Sequence, residues 1–269
     1  MAADRIMTET SSPQTYKLLA QYYDHFFTFH LERYRQARRK LLGKVLPQVH
    51  GACDLACGTG TTALELAQRG IKVYGVDLSP TMCRLAGIKV QRARRAGAKA
   101  NVTIIRGDMR TFRLPEPVDL IACEFDALNH VPRKSDLALV AGAVARALRP
   151  GGYFYFDVNN RLAFQKIWPG TAWFEKPGVV MVMRGGYDER RDKGYTDIEW
   201  FIRQKGRWRR FRERVEQVAW LRTEVLQTLR TAGFRGIRAV DATTLFPGDQ
   251  RLHRGCRTFY VAQWQVAES

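Results

Sequence analysis

A short stretch in the first quarter of the chain combines the residue types that hold a charged ligand. An apolar strand over 52–56 leads into a loop with two glycines one residue apart, Gly58 and Gly60, and a helix-like run over 62–69 follows at once. Glycine lets the backbone turn tightly and approach a ligand, and the free N–H groups at a helix start attract negative charge. The pattern predicts a ligand cradle, although an ordinary strand-to-helix turn fits it as well.

An acidic residue one strand further on supports the cradle. Residues 71–76 form a second apolar strand that ends at Asp77, and in a doubly wound sheet this carboxylate lies beside the glycine loop. There it can accept hydrogen bonds from both hydroxyls of a ribose, each worth roughly 1.5–3 kcal/mol. The alternative is a helix cap, a role that Ser79 and Pro80 also suit. Residues 58–63 fit the dinucleotide fingerprint G-x-G-x-x-A as well, so a nicotinamide cofactor is a second interpretation.

Later landmarks separate the two cofactors. The pattern D-x-A-x-G-x-G over 54–60 resembles the first motif of the class I S-adenosylmethionine (SAM) methyltransferases, and further landmarks of that family follow in order at 107–109 and 148–152. A nicotinamide enzyme would share only the first two landmarks. The resemblance covers about residues 22–160. It implies SAM as the cofactor and S-adenosylhomocysteine as its product.

The resemblance also implies a role for individual side chains around the cofactor. The ribose is held by an acidic side chain, and the adenine by an acidic side chain with apolar neighbours. The amino-acid tail is held by an acidic side chain and by the backbone of the glycine loop. Further side chains line the space around the methyl group and form its wall. The matching residues are Asp77 for the ribose; Asp108, Met109 and Leu78 for the adenine; Asp54, Ala56, Cys57, Gly58, Thr59 and Gly60 for the tail; and Glu124, Phe125 and Tyr23 for the wall, with Met82 added to the cofactor-binding set.

His130 is the candidate catalytic residue. It follows the fourth predicted strand, on the loop that faces the methyl donor in the family. Methyl transfer is an in-line displacement, and an attacking amine must be neutral, so a nearby base assists it. An ordinary histidine pKa of about 6.5 suits that proton transfer near neutrality. The alternative is a histidine that caps a helix or packs in the core.

The predicted fold class is α/β: a Rossmann-like, doubly wound seven-stranded methyltransferase sheet with a C-terminal reversed β-hairpin, plus an inserted antiparallel β subdomain. Aromatic residues over 22–27 resemble the N-terminal lid of small-molecule methyltransferases, or else form an amphipathic helix that packs on the core. We predict a helical lid over 1–50, a SAM-binding core over 51–160 and 221–269, and a substrate-covering insertion over 161–220.

The insertion carries its own strand pattern. Strand-like runs at 179–183, 195–202 and 207–218 are separated by polar segments, and we predict turns at 185–186 and 205–206. These runs predict an antiparallel sheet between the fifth strand and the last helix of the core.

Composition sets limits on the class of protein. With 269 residues and 45% hydrophobic content, the chain can bury one substantial core. It contains no run of 18 apolar residues, and its first fifteen residues lack an apolar signal region, so we predict neither a membrane span nor secretion. Its five cysteines show no metal-site spacing, which predicts reduced packing residues and no metal. We expect a cytoplasmic protein, as a monomer or homodimer.

Charge leaves two classes of acceptor open. A net charge of +18 attracts anionic partners, and seven basic residues lie between Arg203 and Arg214. That run fits a nucleic-acid surface, or the solvated outer face of a strand. The loop over 124–131 lacks the Asn/Asp-Pro-Pro-aromatic sequence often found in base-modifying relatives. We therefore favour methyl transfer to an N or O atom of a small molecule, with an RNA- or protein-directed methyltransferase as the alternative and a non-catalytic SAM-binding protein as a third interpretation.

Overall fold

The computed structural model describes residues 17–27 and 31–265, which form two β-sheets with helices around them. The helices are α1 (Lys17–Phe26), α2 (Leu31–Leu42), α3 (Thr61–Ala67), α4 (Pro80–Arg95), α5 (Asp136–Ala147), α6 (Arg161–Lys166), α7 (Arg222–Thr231) and α8 (Ala242–Leu245). The strands are β1 (Gly51–Leu55), β2 (Lys72–Asp77), β3 (Val102–Arg106), β4 (Val118–Cys123), β5 (Leu148–Asn159), β6 (Gly170–Lys176), β7 (Val179–Asp188), β8 (Lys193–Gln204), β9 (Arg207–Val218), β10 (Phe234–Asp241) and β11 (Arg257–Trp264). Within this part of the chain, no helix is both long and apolar enough to cross a membrane.

The larger sheet has seven strands in the order β10-β11-β5-β4-β1-β2-β3. Strands β1 to β5 pair in parallel, whereas β11 runs antiparallel to both of its neighbours. Two apolar clusters lie on opposite faces of this sheet, so a central strand such as β1 is buried along its whole length. The arrangement confirms the predicted Rossmann-like sheet with its reversed C-terminal hairpin.

The strand order changes direction between β1 and β4. From β1 the chain adds β2 and β3 on one side, and β4 and β5 on the other. In open α/β sheets, ligands bind at such a switch point, in the crevice outside the carboxyl ends of the strands. The loops after β1 and after β4, which begin at Ala56 and Glu124, therefore border the expected site.

The smaller sheet is antiparallel, in the order β6-β7-β8-β9. Side chains of β8 alternate between buried and half-exposed, as expected for a sheet with one covered face. Trp200 and Ile198 of β8 pack with Met181 of β7 against Leu19 and Phe26 of α1. The N-terminal helix α1 thus covers the inner face of the inserted sheet.

Two details predicted for the insertion were wrong. Strand β6 was missed because its apolar run is short and lies between Gly170 and Pro177. The predicted turn at Gly185 and Gly186 lies inside β7, where a Cβ on Gly185 would stand 2.1 Å from the Trp168 carbonyl oxygen. These glycines permit close packing instead of a turn. The turn at 205–206 is confirmed, since both residues adopt the left-handed conformation between β8 and β9.

The segment predicted as a lid contains α1 and α2. Residues 1–16 and 28–30 of that segment lie outside the described residues. The division of the chain into lid, core and insertion stays a prediction.

Candidate active site

The glycine loop after β1 turns through a series of left-handed residues. Ala56, Gly58 and Gly60 have φ values of 59°, 54° and 78°. A Cβ on Gly60 would lie 3.1 Å from the Ala86 Cβ of α4, so this glycine allows the loop to pack on the helix. A Cβ on Gly58 would meet no atom within 4 Å, so the loop backbone is open to an approaching ligand at this point.

Asp77 holds the loop in this shape. One carboxylate oxygen accepts a hydrogen bond from the Gly58 N–H and the other from the Ser79 N–H, both at 2.8 Å. Burial raises the pKa of Asp77, and these two hydrogen bonds oppose the rise. The cap of α4 is Ser79, whose hydroxyl accepts from the Met82 N–H. Asp77 therefore ends β2 beside the glycine loop, as the sequence predicts.

Two further acids line the same crevice. Asp54 is buried at the end of β1, and its Oδ2 accepts from the Ala63 N–H at 2.8 Å, which fixes the start of α3. Glu124 is 6% exposed and accepts from Arg38 and from the Thr62 hydroxyl. Burial raises the pKa of both carboxyl groups. Among the described residues, Glu124 Oε1 has no hydrogen-bond partner, so it can accept a donor from a ligand.

A small cavity of about 60 Å³ lies between the loops after β1 and β4, with α1 at its edge. Eight predicted site residues line it: Tyr23, Asp54, Ala56, Cys57, Gly58, Thr59, Glu124 and Phe125. The predicted site residues that do not line it are Gly60, Asp77, Leu78, Met82, Asp108, Met109 and His130.

The residues predicted around the adenine lie outside this cavity in three different environments. Leu78 is 54% exposed and Met109 packs at the edge of the main core cluster, whereas Met82, predicted only as a further cofactor contact, is buried in the first turn of α4. Both carboxylate oxygens of Asp108 accept from the Arg110 guanidinium, which lowers the pKa of Asp108. An adenine amino group at Asp108 would share the carboxylate with Arg110.

His130 lies at the end of the turn Ala127–His130, where it faces the inserted sheet. Its Nε2 is 2.9 Å from the Gln217 amide nitrogen of β9 and 3.9 Å from Asp126 Oδ2. Burial lowers the pKa of His130, and the nearby Asp126 opposes this effect. This lowered pKa favours the neutral imidazole, the form that a general base requires.

A buried ionic network next to His130 was not foreseen. Arg257 of β11 donates to Asp157 and, at 2.7 Å, to Asp126; Tyr34 donates to Asp157 at 2.9 Å. Burial raises the pKa of Asp157 to about 7, Arg257 opposes the rise, and Asp126 adds to it. Two carboxylates share one guanidinium here, so the network joins α2, β5, β11 and the loop after β4.

The loop after β4 is held in a strained conformation. Phe125 and Asp126 both have positive φ values, 60° and 48°, although neither is glycine. Each such residue costs about 1–3 kcal/mol. The Phe125 ring stacks on Tyr34 with centroids 4.0 Å apart, and Asp126 is fixed by Arg257 and Gln217. Surrounding contacts thus hold the loop that walls the cavity.

Helix α1 is fastened to the glycine loop by a small polar cluster. Asp24 accepts from the Thr59 hydroxyl at 2.7 Å and pairs with Lys89 of α4 at 2.6 Å. The Lys89 ammonium also donates to Thr59 and Thr61. We call this group of four side chains the α1 latch; it places Tyr23 at the cavity.

Comparison with known proteins finds similarity to methyltransferases. Residues 52–152 match a family model described as a methyltransferase domain. The chain is 28% identical to the putative methyltransferase YqeM of Bacillus subtilis, over 81% of this chain and 85% of that protein.

Solved structures share the fold. The sugar N-methyltransferase KedS8 from Streptoalloteichus has a TM-score of 0.75 at 20% identity and covers 99% of each chain. The amino pentose methyltransferase CalS10 from Micromonospora echinaspora, solved with SAM bound, has a TM-score of 0.68 at 23% identity over 96% of this chain and 99% of that chain. Residues 52–152 therefore resemble a methyltransferase domain, and the chain has the fold of these SAM-dependent methyltransferases, in agreement with the resemblance of its motifs.

Proposed function

We propose that this protein transfers the methyl group of SAM to a nitrogen or oxygen atom of a small-molecule acceptor. The observation that carries the proposal is the crevice at the β1/β4 switch point. There the glycine loop, held by Asp77, borders a cavity lined by Glu124, whose buried Oε1 has no hydrogen-bond partner among the described residues. An anionic, partly desolvated cradle of this kind suits a ligand with an ammonium group and a sulfonium.

The residues present fit SAM. Each oxygen of Asp77 accepts one backbone hydrogen bond, which leaves lone pairs for the ribose hydroxyls. Glu124 and Asp54 offer negative charge to the ammonium of the amino-acid tail, and the open side of Gly58 lets the ligand approach the loop backbone.

SAM supplies an electrophilic methyl group when it is bound. The part of the chain in the reaction is to position the acceptor and to exclude water. Tyr23 and Phe125 border the cavity, so they are placed to wall the methyl group. His130 is the proposed base, because its lowered pKa keeps the imidazole neutral and able to take a proton from the acceptor.

The small-molecule acceptor is supported by two features. KedS8 and CalS10, which share the fold over almost the whole chain, are named as methyltransferases of a sugar and of an amino pentose. In addition, Gln217 of the inserted sheet contacts His130 and Asp126 on the loop after β4, so the insertion lies next to the proposed base.

Calorimetric titration with S-adenosylhomocysteine and, separately, with NAD tests the cofactor. We expect micromolar binding of S-adenosylhomocysteine, no binding of NAD, and at least tenfold weaker binding by Asp77→Ala, because the ribose acceptor and the Gly58 tether are both lost. Asp197→Ala, which removes an exposed carboxylate of the inserted sheet, is the matched control and should bind like the native protein. Binding of NAD, or equal affinity in the Asp77 variant, would contradict the proposal.

A further inference from the structure

The outer face of the inserted sheet carries an unusual set of side chains. Its inner face packs on α1, so the alternate residues of β6 to β9 point away from the protein. Strand register places Trp173, Val182, Glu199 and Arg212 in one row across this face. Neighbouring rows contain Val180 with Phe201 and Arg210, Arg203 with Trp208, and Arg184 with Asp197 and Arg214. We call this surface the outer face.

Two tryptophans mark opposite corners of the outer face. Trp173 on β6 is 68% exposed and Trp208 on β9 is 55% exposed. Trp173 lies in the same row as Arg212, three strands away, and Trp208 lies four residues before Arg212 on β9. The two tryptophans are therefore about 20 Å apart. Each exposed indole ring offers a flat face on which another aromatic ring can stack.

Arginines lie between the tryptophans and outnumber the acids there. Arg184, Arg210 and Arg212 all pair with the single carboxylate of Glu199, so within the described part of the chain two positive charges of this group have no counter-charge. Arg203 makes no ion pair with any residue in the described ranges. Arg210 lies over the Phe201 ring, 5.9 Å from its centroid. The outer face therefore combines flat aromatic surfaces with spare guanidinium groups.

We propose that the outer face binds single-stranded nucleic acid. Unpaired bases would stack on Trp173 and Trp208, and the arginines between them would contact the phosphates. Double-stranded nucleic acid hides its bases and gives the indole rings nothing to stack on. A second copy of the chain would bring two basic faces together in a protein of net charge +18. A lipid bilayer would bury Asp197 and Glu199 in the middle of the face, whereas a single strand can leave them hydrated.

The outer face is separate from the proposed methyltransferase site. It lies on the side of the inserted sheet opposite α1, whereas α1 borders the cavity. Nucleic acid bound there contacts the protein without entering the cavity, so binding and methyl transfer can be measured independently.

The test is fluorescence anisotropy with labelled oligouridylate and oligodeoxythymidylate, titrated with the full-length protein at several salt concentrations. We expect affinity to fall steeply with salt, with a slope of about −0.7 for each phosphate contacted. Trp173→Ala and Trp208→Ala should each weaken binding about tenfold, and the double variant Arg203→Gln/Arg212→Gln should flatten the salt slope.

Matched substitutions on other surfaces distinguish binding at the outer face from a general effect of charge or hydrophobicity. Leu139→Ala removes an exposed apolar side chain of α5, and Arg92→Gln/Arg95→Gln removes two exposed charges of α4. Both should bind like the native protein, and every variant should keep its affinity for S-adenosylhomocysteine. The proposal is overturned by absent binding at low salt, by equal losses in the control variants, by binding to anionic vesicles alone, or by a dimer in sedimentation that the tryptophan variants dissociate.

Discussion

Gln217 determines which nitrogen of His130 carries the proton. The side-chain amide nitrogen of Gln217 donates to Asp126 Oδ2 at 2.7 Å and lies 2.9 Å from His130 Nε2. An amide nitrogen can only donate, so Nε2 accepts and the proton of the neutral imidazole is assigned to Nδ1. A methyl acceptor that displaces the Gln217 N–H would place its own proton next to the lone pair of His130 Nε2. The inserted sheet thus contributes to the state of the proposed base.

Substitution of His130 gives a prediction at the residue scale. Because burial lowers its pKa below the ordinary value of about 6.5, His130 is neutral above that pH and becomes protonated only at lower pH. We expect kcat/KM to be flat above about pH 6.5 and to fall below it. In His130→Asn the rate should be about a hundredfold lower, without this acid limb and with unchanged affinity for S-adenosylhomocysteine. The pH–rate profile of both proteins is the measurement.

His50 provides the control for that experiment. It is exposed just before β1, at the opposite edge of the sheet, so His50→Asn should reproduce the native profile. An unchanged rate in His130→Asn on the true acceptor would remove His130 from the mechanism.

Residue-scale features were predictable where they are local in the sequence. Gly58 and Asp77 are nineteen positions apart and belong to one strand–helix–strand unit. Their proximity was therefore expected from the predicted doubly wound sheet. Arg257 meets Asp157 across 100 positions and Tyr34 meets Asp157 across 123. No local pattern marks such pairs, and Arg38 was missed in the same way because its partner Glu124 is 86 positions away.

At the scale of elements, the strands of the core were predictable because each is a compact apolar run. Strand β4 was predicted with its observed bounds, Val118–Cys123. The inserted sheet is harder, since half of its side chains face water and its strands carry many charges. In β7, two glycines serve close packing, although the sequence predicted a turn there. Strand β6 was missed because its apolar run is short. Hydrophobic periodicity reveals neither feature.

The α1 latch gives a prediction at the element scale. Asp24→Asn removes the ion pair with Lys89 and weakens the hydrogen bond to Thr59, so α1 should leave the cavity more readily. A partly exposed pair of this kind contributes about 0–1 kcal/mol. We therefore expect the dissociation rate of S-adenosylhomocysteine to rise up to about fivefold, with little change in the association rate, as measured by stopped-flow or surface plasmon resonance.

A second ion pair of the N-terminal helices serves as the control for the latch. Glu32 pairs with Arg35 on α2 at 3.5 Å and takes no part in the cavity. Glu32→Gln should leave the dissociation rate unchanged. If Asp24→Asn behaves in the same way, the latch does not retain the ligand.

For the whole molecule, α1 and Gln217 connect the seven-stranded sheet with the inserted sheet. Helix α1 packs on the inserted sheet and contacts the core through the latch, while Gln217 of β9 reaches Asp126 in the core. The sequence predicted both sheets but not these connections, because they depend on single polar contacts between distant segments. Cytoplasmic location and oligomeric state stay predictions of the sequence.

Net charge gives the last prediction, at the scale of the whole molecule. A charge of +18 opposes the compact state through self-repulsion, and the ion pairs of the surface are each worth little. Raising ionic strength from about 0.01 M to about 0.15 M shortens the screening length from about 30 Å to about 8 Å. Repulsion between distant arginines should fade, while the ion pairs in direct contact persist. We expect Tm to rise with sodium chloride, by roughly 2–4 °C for each kcal/mol gained, in differential scanning calorimetry.

Two comparisons isolate the charge effect. Sucrose at equal osmolality does not screen charges. It should therefore not reproduce the rise of Tm that we expect at low concentrations of sodium chloride. Arg92→Gln/Arg95→Gln lowers the net charge by two without breaking an ion pair of the described residues, so its Tm should depend less on salt than that of the native protein. A Tm that falls as salt is added would mean that attractive ion pairs, such as those around Glu199 and Asp126, outweigh the repulsion among the surplus arginines.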